Sequence, residues 1–163
     1  MSLKRGHFYL WVITGINYAM MLFYSMPILL KAADGMLPFD ARLTGYSPGL
    51  AARYVATISD EGRQFYLTTQ SMLDAFFPAL LALSLMLTLY RLAPKWPVLF
   101  LTPAAGALFD YYENAAVTQI LLSATPDAGL VNMASLLTMM KFASVALSLL
   151  AIIWLWRKQR PES

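Results

Sequence analysis

The chain has 163 residues, of which 59% are hydrophobic and 13% are charged, and its formal net charge is +3. Because about a quarter of the residues of a soluble domain are charged, this composition predicts an integral membrane protein in contact with lipid and no nucleic-acid partner. The chain has no cysteine and one histidine, His7, which excludes disulfides and thiolate metal sites and argues against haem, iron–sulfur and histidine zinc sites. We therefore predict no cofactor and no bound metal ion.

Four apolar stretches are long enough to cross a bilayer, which takes about 20 mainly apolar residues of helix. They cover residues 7–30, 65–90, 96–123 and 130–156. The sequence therefore predicts an all-α fold, a single transmembrane four-helix bundle over residues 1–163. A cleaved signal peptide is the alternative for the first stretch, but its apolar part is longer than a usual signal core.

Positively charged residues around these stretches predict the orientation of the bundle. Lys4 and Arg5 precede the first span, Arg91 and Lys95 lie between the second and third, and three more cations follow the last. The connection between the third and fourth spans has no cation. Since short cationic loops stay in the cytoplasm, we expect both termini inside and the loop at residues 31–64 outside.

The external loop is predicted to be partly helical. Ser47 followed by Pro48 is typical of a helix start. An apolar stripe then predicts a short helix at the membrane surface: Leu50, Tyr54, Val55 and Ile58. Ser59 is expected to cap the next helix, with Asp60 and Glu61 in its first turn, where the helix dipole favours acids.

Four ionisable side chains lie within the predicted spans: Asp74, Asp110, Glu113 and Lys141. Each costs about 2.5–3.5 kcal/mol at the bilayer centre unless it meets a partner or water. Counting about 1.5 Å per helical residue, we expect all four at one level in the outer half of the bundle. Close carboxylates in a low dielectric do not all stay ionised, so at least one should be protonated or bound to a cation. We expect Lys141 within ion-pair or single-water distance of an acid.

Further polar residues fall on the same inward faces by helical spacing. They are Asn17 on the first span, Arg63, Tyr66 and Gln70 on the second, and Asn114 on the third. Together with the four ionisable groups they predict a polar cavity under the external loop. Two simpler alternatives stay open: Asn17 makes only an interhelical hydrogen bond, and Arg63 belongs to an external salt-bridge cluster with Arg53 and Glu61.

The favoured function is binding or transport of a small amphiphile or lipid at this cavity. A proton- or cation-coupled transporter is the second hypothesis, although the chain is short for an inverted-repeat carrier unless it forms a homo-oligomer. The third is a membrane enzyme with Glu113 as general acid or base tuned by Lys141, or with a Ser144–Lys141 pair. The fourth is an accessory subunit whose polar core is purely structural. The sequence does not decide whether the protein is an enzyme.

Several motifs carry a resemblance to known proteins: AARY, EGRQFY, D-x-FFP, FDYYEN and a late membrane lysine. Over residues 51–141 the chain resembles small four-span proteins of the bacterial inner membrane, which implies that location but no activity. The long first loop and the acid before FFP also resemble the layout of the EXPERA group, which includes emopamil-binding sterol isomerases and the sigma-2 receptor. In that group buried acids hold cationic ligands. FDYYEN does not match it, so no catalytic residue is carried over.

Overall fold

The protein is described here by a computed structural model that covers residues 3–159. Within that range it is all-helical and has no strand, which confirms the predicted all-α class. Three helical segments are long and apolar enough to cross a membrane: Lys4–Ala32, Asp60–Leu92 and Ala128–Lys158. They correspond to the first, second and fourth predicted spans. The third predicted span contains a helix of 22 residues that carries the FDYYEN motif.

The first segment, named rod 1, is one continuous helix with a wider turn inside it. It consists of α1 (Leu3–Met20), a π-helical turn (Met21–Ser25) and α2 (Met26–Ala32). In an α-helix the ring of Pro27 would collide with the carbonyl four residues earlier. The π-helical turn falls at that position, and such turns relieve collisions of this kind. A turn at Gly35 follows the end of rod 1, and the Gly35 amide donates to the Leu30 carbonyl at 2.7 Å.

The second segment, named rod 2, has the same three-part construction. It consists of α4 (Asp60–Phe65), a second π-helical turn (Tyr66–Gln70) and α5 (Ser71–Leu92). The predicted cap is confirmed, because the Ser59 hydroxyl accepts from the Gly62 amide at 3.1 Å. A side chain at Gly62 would meet the Ala32 methyl group at 2.3 Å. Glycine therefore allows the end of rod 1 to touch the start of rod 2.

The loop between the rods folds back over the end of the bundle where rod 1 ends and rod 2 begins, and we name residues 36–58 the cap segment. It contains a 3-10 turn (Phe39–Ala41) and α3 (Pro48–Thr57), whose predicted cap at Ser47 is confirmed. The apolar stripe of α3 packs on protein, against α6 and α7. The Phe39 ring lies 4.8 Å from the ring of Tyr54, so the 3-10 turn and α3 share one core.

One glycine fixes how the cap segment meets the bundle. Gly45 has a φ of +79°, and a side chain there would lie 2.5 Å from the Ser135 hydroxyl. The next residue, Tyr46, donates its amide to that same hydroxyl at 2.8 Å. Glycine at this position therefore permits both the left-handed backbone and the close approach to α7.

The remaining helices are α6 (Leu101–Leu122), which follows a 3-10 turn at Pro97–Phe100, and α7 (Ala128–Lys158). Rod 1 packs on rod 2, rod 2 on α6, and α6 on α7, which is the most extensive pairing. Gly106 brings α6 and α7 together, since its absent side chain would meet Ser144 at 3.3 Å. Within residues 3–159, rod 1 and α7 form no extended contact. The first and last long helices are therefore not packed on each other.

Candidate functional site

A cavity of about 620 Å³ runs along the inside of the bundle. Both rods, α6, α7 and the cap segment contribute to its wall, and most of the lining side chains are apolar. At the end beside the cap segment the lining includes Asp40 and Gln70, and at the opposite end it includes Trp11 and Leu85. Rod 1 and α7 both line the cavity, although they form no extended contact within residues 3–159.

Lys141 lies at the centre of a matched group of charges that we name the lysine centre. Its Nζ lies 3.1 Å from Asp110 Oδ1 and 2.6 Å from Glu113 Oε2, which confirms the predicted pairing. Thr138 donates its hydroxyl to the other oxygen of Glu113 at 2.6 Å. Since the acids stand on α6 and the partners on α7, the lysine centre ties together the most extensive helix pair.

The members of the lysine centre differ in their access to the cavity. Asp110 and Lys141 line it. Glu113 is fully buried behind them and is absent from the lining. The sequence placed Glu113 on the right helical face, but the side chain that separates it from the cavity, Lys141, comes from another helix.

A second group of carboxylates, which we name the glutamine centre, is organised around Gln70. The Gln70 amide donates to both oxygens of Asp74, at 3.0 and 3.1 Å, and to Asp40 at 3.0 Å. Tyr66 donates its hydroxyl to Asp40 at 2.8 Å. The Gln70 carbonyl oxygen accepts from Ser25, the last residue of the other π-helical turn. Two π-helical turns therefore meet at this centre, and such turns are frequent at functional sites.

Asp40 is a site residue that sequence reasoning missed. In the sequence Asp40 is one of several acids in a loop that also contains cations. A loop has no helical periodicity from which the direction of a side chain could be predicted. The available signal was its position directly after the apolar run at residues 36–39, because a carboxylate beside a buried aromatic is held near the core. In the structure Phe39 is fully buried and Asp40 lines the cavity.

The two centres carry different charge balances. Within residues 3–159 the only cation in salt-bridge contact with any of these acids is Lys141, which contacts Asp110 and Glu113. No ammonium or guanidinium group of the described chain lies within that distance of Asp40 or Asp74. Four carboxylates thus face one ammonium, and the two in the glutamine centre have no salt-bridge partner in the described part of the chain.

The cap segment adds two buried tyrosines beside these centres, Tyr46 and Tyr54. Burial raises the pKa of the Tyr46 phenol, and the nearby Glu113 carboxylate raises it further. Burial also raises the pKa of Tyr54, followed by the charge of Asp40. Desolvation lowers the pKa of Arg42, whose guanidinium donates to the Leu37 carbonyl within the cap segment. These phenols therefore stay neutral near pH 7 and supply no compensating charge.

Arg63 lies outside the cavity, contrary to its predicted place in the polar stripe. Its guanidinium donates to the Leu121 carbonyl at 2.9 Å and to the Val55 carbonyl at 2.7 Å. Both carbonyls lie in the last turns of their helices, where acceptors lack intrahelical partners. The alternative salt bridge to Glu61 is not formed within the described chain. Arg63 therefore fixes the cap segment to α6.

The other predicted residues lie near the cavity without lining it. Asn17 makes an interhelical hydrogen bond to the Leu73 carbonyl at 3.5 Å, which is the simpler of the two alternatives predicted for it. Asn114 and Tyr66 are absent from the lining, although Tyr66 holds Asp40. Ser144 and Lys141 form no hydrogen bond with each other in the described chain, and the Lys141 nitrogen forms salt bridges with two carboxylates. No group of three or more metal-ligating side chains occurs within residues 3–159.

Comparison with known proteins found no matching family model, no matching curated protein and no matching solved structure.

Proposed function

We propose that this protein is a four-span protein of the bacterial inner membrane that binds a small cationic amphiphile. The positive head group lies at the glutamine centre, and the hydrocarbon part occupies the cavity. The observation that carries this proposal is a long apolar cavity with carboxylates at the end beside the cap segment that no cation within residues 3–159 contacts as a salt bridge.

The four-span arrangement is supported by the surroundings of α6. This helix has 22 residues, which gives about 33 Å, enough for a bilayer core of about 30 Å. It packs against rod 2 on one side and α7 on the other. Its acids Asp110 and Glu113 pair with Lys141. An internal ion pair of this kind keeps the charges out of contact with lipid. Helix α6 can therefore cross the membrane beside the three more apolar segments.

Reporter fusions check this topology together with the cytoplasmic termini. Fusions after Lys95 and at the C-terminus should both report cytoplasm, and a fusion within the cap segment should report the outside. An external signal at Lys95 would contradict the orientation and the outer position of the glutamine centre.

A cationic head group is favoured by the chemistry of the glutamine centre. Close carboxylates that lack a cation bind one from outside or take up a proton. A protonated amine supplies three donors in a compact charge, and both carboxylates offer acceptors to the cavity. Since the rest of the lining is mainly apolar, the same ligand needs a hydrocarbon part. A cationic amphiphile meets both requirements.

A gap between rod 1 and α7, which we name the side cleft, would give such a ligand a route from lipid. Rod 1 and α7 are two of the segments long enough to span the membrane, and they form no extended contact within residues 3–159. An amphiphile dissolved in the outer leaflet has its head group near the outer end and its chain at the depth of the cleft. Entry from the bilayer therefore keeps the hydrocarbon out of water.

Binding of tritiated dodecylamine to the protein in nanodiscs tests this function, with empty nanodiscs correcting for partitioning. We expect saturable binding that dodecanol does not displace. Asp74→Asn and Asp40→Asn should each weaken binding at least tenfold, about 1.4 kcal/mol, because each removes one of the two charges. Glu61→Gln is the matched control, since Glu61 is an exposed acid outside the cavity.

Two results would overturn the proposal. One is dodecylamine binding no greater than in empty nanodiscs. The other is equal affinity in the wild type and in the double variant Asp40→Asn with Asp74→Asn.

Proton-coupled transport is the second candidate, favoured by the location of Asp40 on the cap segment and Asp74 on α5. Movement of the cap segment would separate two carboxylates that share one amide donor. Proton flux into liposomes loaded with a pH dye distinguishes it from simple binding. Flux in the wild type that Asp74→Asn abolishes would favour this candidate.

A further inference from the structure

Side chains from all four long helices line the inner end of the cavity. They are Trp11 of rod 1, Leu85 of rod 2, Pro103 of α6 and Leu149 of α7. Leu85 and Pro103 are fully buried and belong to the packed interior. Trp11 is 36% exposed, so its indole lies at the margin of the bundle and borders this end of the cavity.

Hydrogen bonds hold the Trp11 indole in place. Its N–H donates to the Thr88 hydroxyl at 3.2 Å. Arg91 donates to His7 Nδ1 at 2.6 Å, so His7 Nε2 carries the ring proton and donates to the same Thr88 hydroxyl at 2.9 Å. His7 is buried. The indole is thus clamped from the inner side by residues of both rods.

The distance from the carboxylates to this end is comparable to one bilayer leaflet. Asp74 precedes Leu85 by eleven residues on α5, about 16 Å of helix. Lys141 precedes Leu149 by eight residues on α7, about 12 Å. Half of a bilayer core is about 15 Å thick. The cavity volume of about 620 Å³ is in the range of a single drug-sized ligand.

We propose that Trp11 ends the tail compartment, so that the site selects amphiphiles with one hydrocarbon chain of medium length. Selection of this kind rests on the proposed function. The depth of about 12–16 Å along the helices fits one extended chain of roughly ten to twelve carbons. A lipid with two chains exceeds the volume. Trp11 is then a specificity-determining residue, distant from the head-group carboxylates.

A cut-off in chain length follows from the energetics of transfer from lipid. Hydrocarbon in a bilayer is as apolar as the cavity wall, so each methylene that fits changes the affinity relative to the bilayer little. A chain that reaches the clamped indole must bend or displace it, and overpacking of this kind lowers affinity by about tenfold or more. Affinity should therefore be level with increasing length and then fall sharply.

Competition against tritiated dodecylamine in nanodiscs measures this cut-off. The competitors are decylamine, dodecylamine, tetradecylamine and hexadecylamine, each expressed as a mole fraction of the bilayer. For the wild type we expect similar inhibition by the shorter pair and at least tenfold weaker inhibition by hexadecylamine. Trp11→Ala should restore inhibition by hexadecylamine, because the chain can pass the position of the indole.

Two further variants control this experiment. Trp154→Ala removes an exposed indole that packs on Trp96 outside the cavity, and it should leave the cut-off unchanged. Gly15→Leu acts in the opposite direction. Gly15 lines the cavity, and a side chain there meets no atom within 4 Å. Leucine also favours helix relative to glycine, so this variant should fold and should move the cut-off to shorter chains.

The outcomes separate this inference from the function on which it rests. If no alkylamine binds above empty nanodiscs, the proposed function fails. If alkylamines bind with dependence on Asp74 but show equal affinity at every length, only the role of Trp11 fails. A cut-off that neither Trp11→Ala nor Gly15→Leu moves would also overturn that role.

Discussion

The lysine centre and the glutamine centre hold the same number of carboxylates in two different ways. In the lysine centre Asp110 and Glu113 share the ammonium of Lys141, and the group joins two helices that pack closely. In the glutamine centre Asp40 and Asp74 share only the neutral amide of Gln70. One centre satisfies its charges internally, whereas the other leaves them for something outside the chain.

The difference shows how a structural polar core can be told from a binding site. Asp74, Asp110 and Glu113 all lie on inward helical faces and are largely buried, so burial and spacing alone do not separate the centres. The charge balance does. Asp110 and Glu113 share the cation of Lys141, whereas Asp40 and Asp74 line the cavity with no cation of the described chain in salt-bridge contact.

Removing the cation of the lysine centre should have the largest effect. Lys141→Met leaves two buried acids without their partner, which typically costs about 3–5 kcal/mol. Thermal unfolding in detergent measures the loss. Addition of Glu113→Gln should recover part of it, because the fully buried charge is then removed. An unchanged unfolding temperature in Lys141→Met would contradict the structural role of this centre.

The same substitution made in each centre sharpens the comparison. Asp110→Asn removes an acceptor from an ammonium and should destabilise by about 1–2 kcal/mol. Asp74→Asn removes a charge that has no cationic partner, so its stability should be equal to or up to about 1 kcal/mol greater than that of the wild type. Chemical denaturation of both variants under one condition provides the measurement. Equal destabilisation by both would remove the distinction between the centres.

A pair of glycines tests whether the cap segment positions Asp40. Gly45 and Gly35 both have positive φ, +79° and +80°, but only a side chain at Gly45 meets protein, 2.5 Å from Ser135. Alanine at either position costs about 1–2 kcal/mol of backbone strain. We expect Gly45→Ala to weaken dodecylamine binding as well, whereas Gly35→Ala should leave it intact. Equal binding by the two variants would show that the close contact between Gly45 and α7 is not needed to position Asp40.

The smallest expected effect concerns the neutral phenols of the cap segment. Their folded pKa is raised above the unfolded value near 10, so their stabilising effect is complete below about pH 10 and is lost as the pH rises through the folded pKa. Tyr46→Phe and Tyr54→Phe should reduce this alkaline loss. Near pH 7 each should change stability by less than about 1 kcal/mol, because neither hydroxyl has a hydrogen-bond partner in the described chain. Unfolding measured at several alkaline pH values checks both points.

Much of the helical framework was predictable from local chemistry. The caps at Ser47 and Ser59 follow from side-chain oxygens that satisfy the first free amides. The pairing of Lys141 with the FDYYEN acids follows from the cost of a lone charge in lipid. The caps depend on residues that are close in sequence. The pairing of Lys141 depends on the requirement that a charge within a membrane has a partner.

The site itself was only partly predictable, because its key contacts are between distant segments. Asp40 reaches Gln70 only after the cap segment folds back, and helical periodicity carries no information about that fold. Arg63 has the spacing of a cavity residue, but carbonyls at the ends of two helices compete for its guanidinium. The side cleft depends on which pairs of helices do not pack together. The sequence of a single span carries no information about that pairing.

Native mass spectrometry of the protein released from membranes tests the central claim most directly, by identifying what the glutamine centre retains. The account predicts a retained small molecule with one hydrocarbon chain and a basic nitrogen, lost from the Asp74→Asn variant and kept by the Glu61→Gln variant. Retention of only two-chain or anionic lipids, equal in wild type and Asp74→Asn, would contradict it.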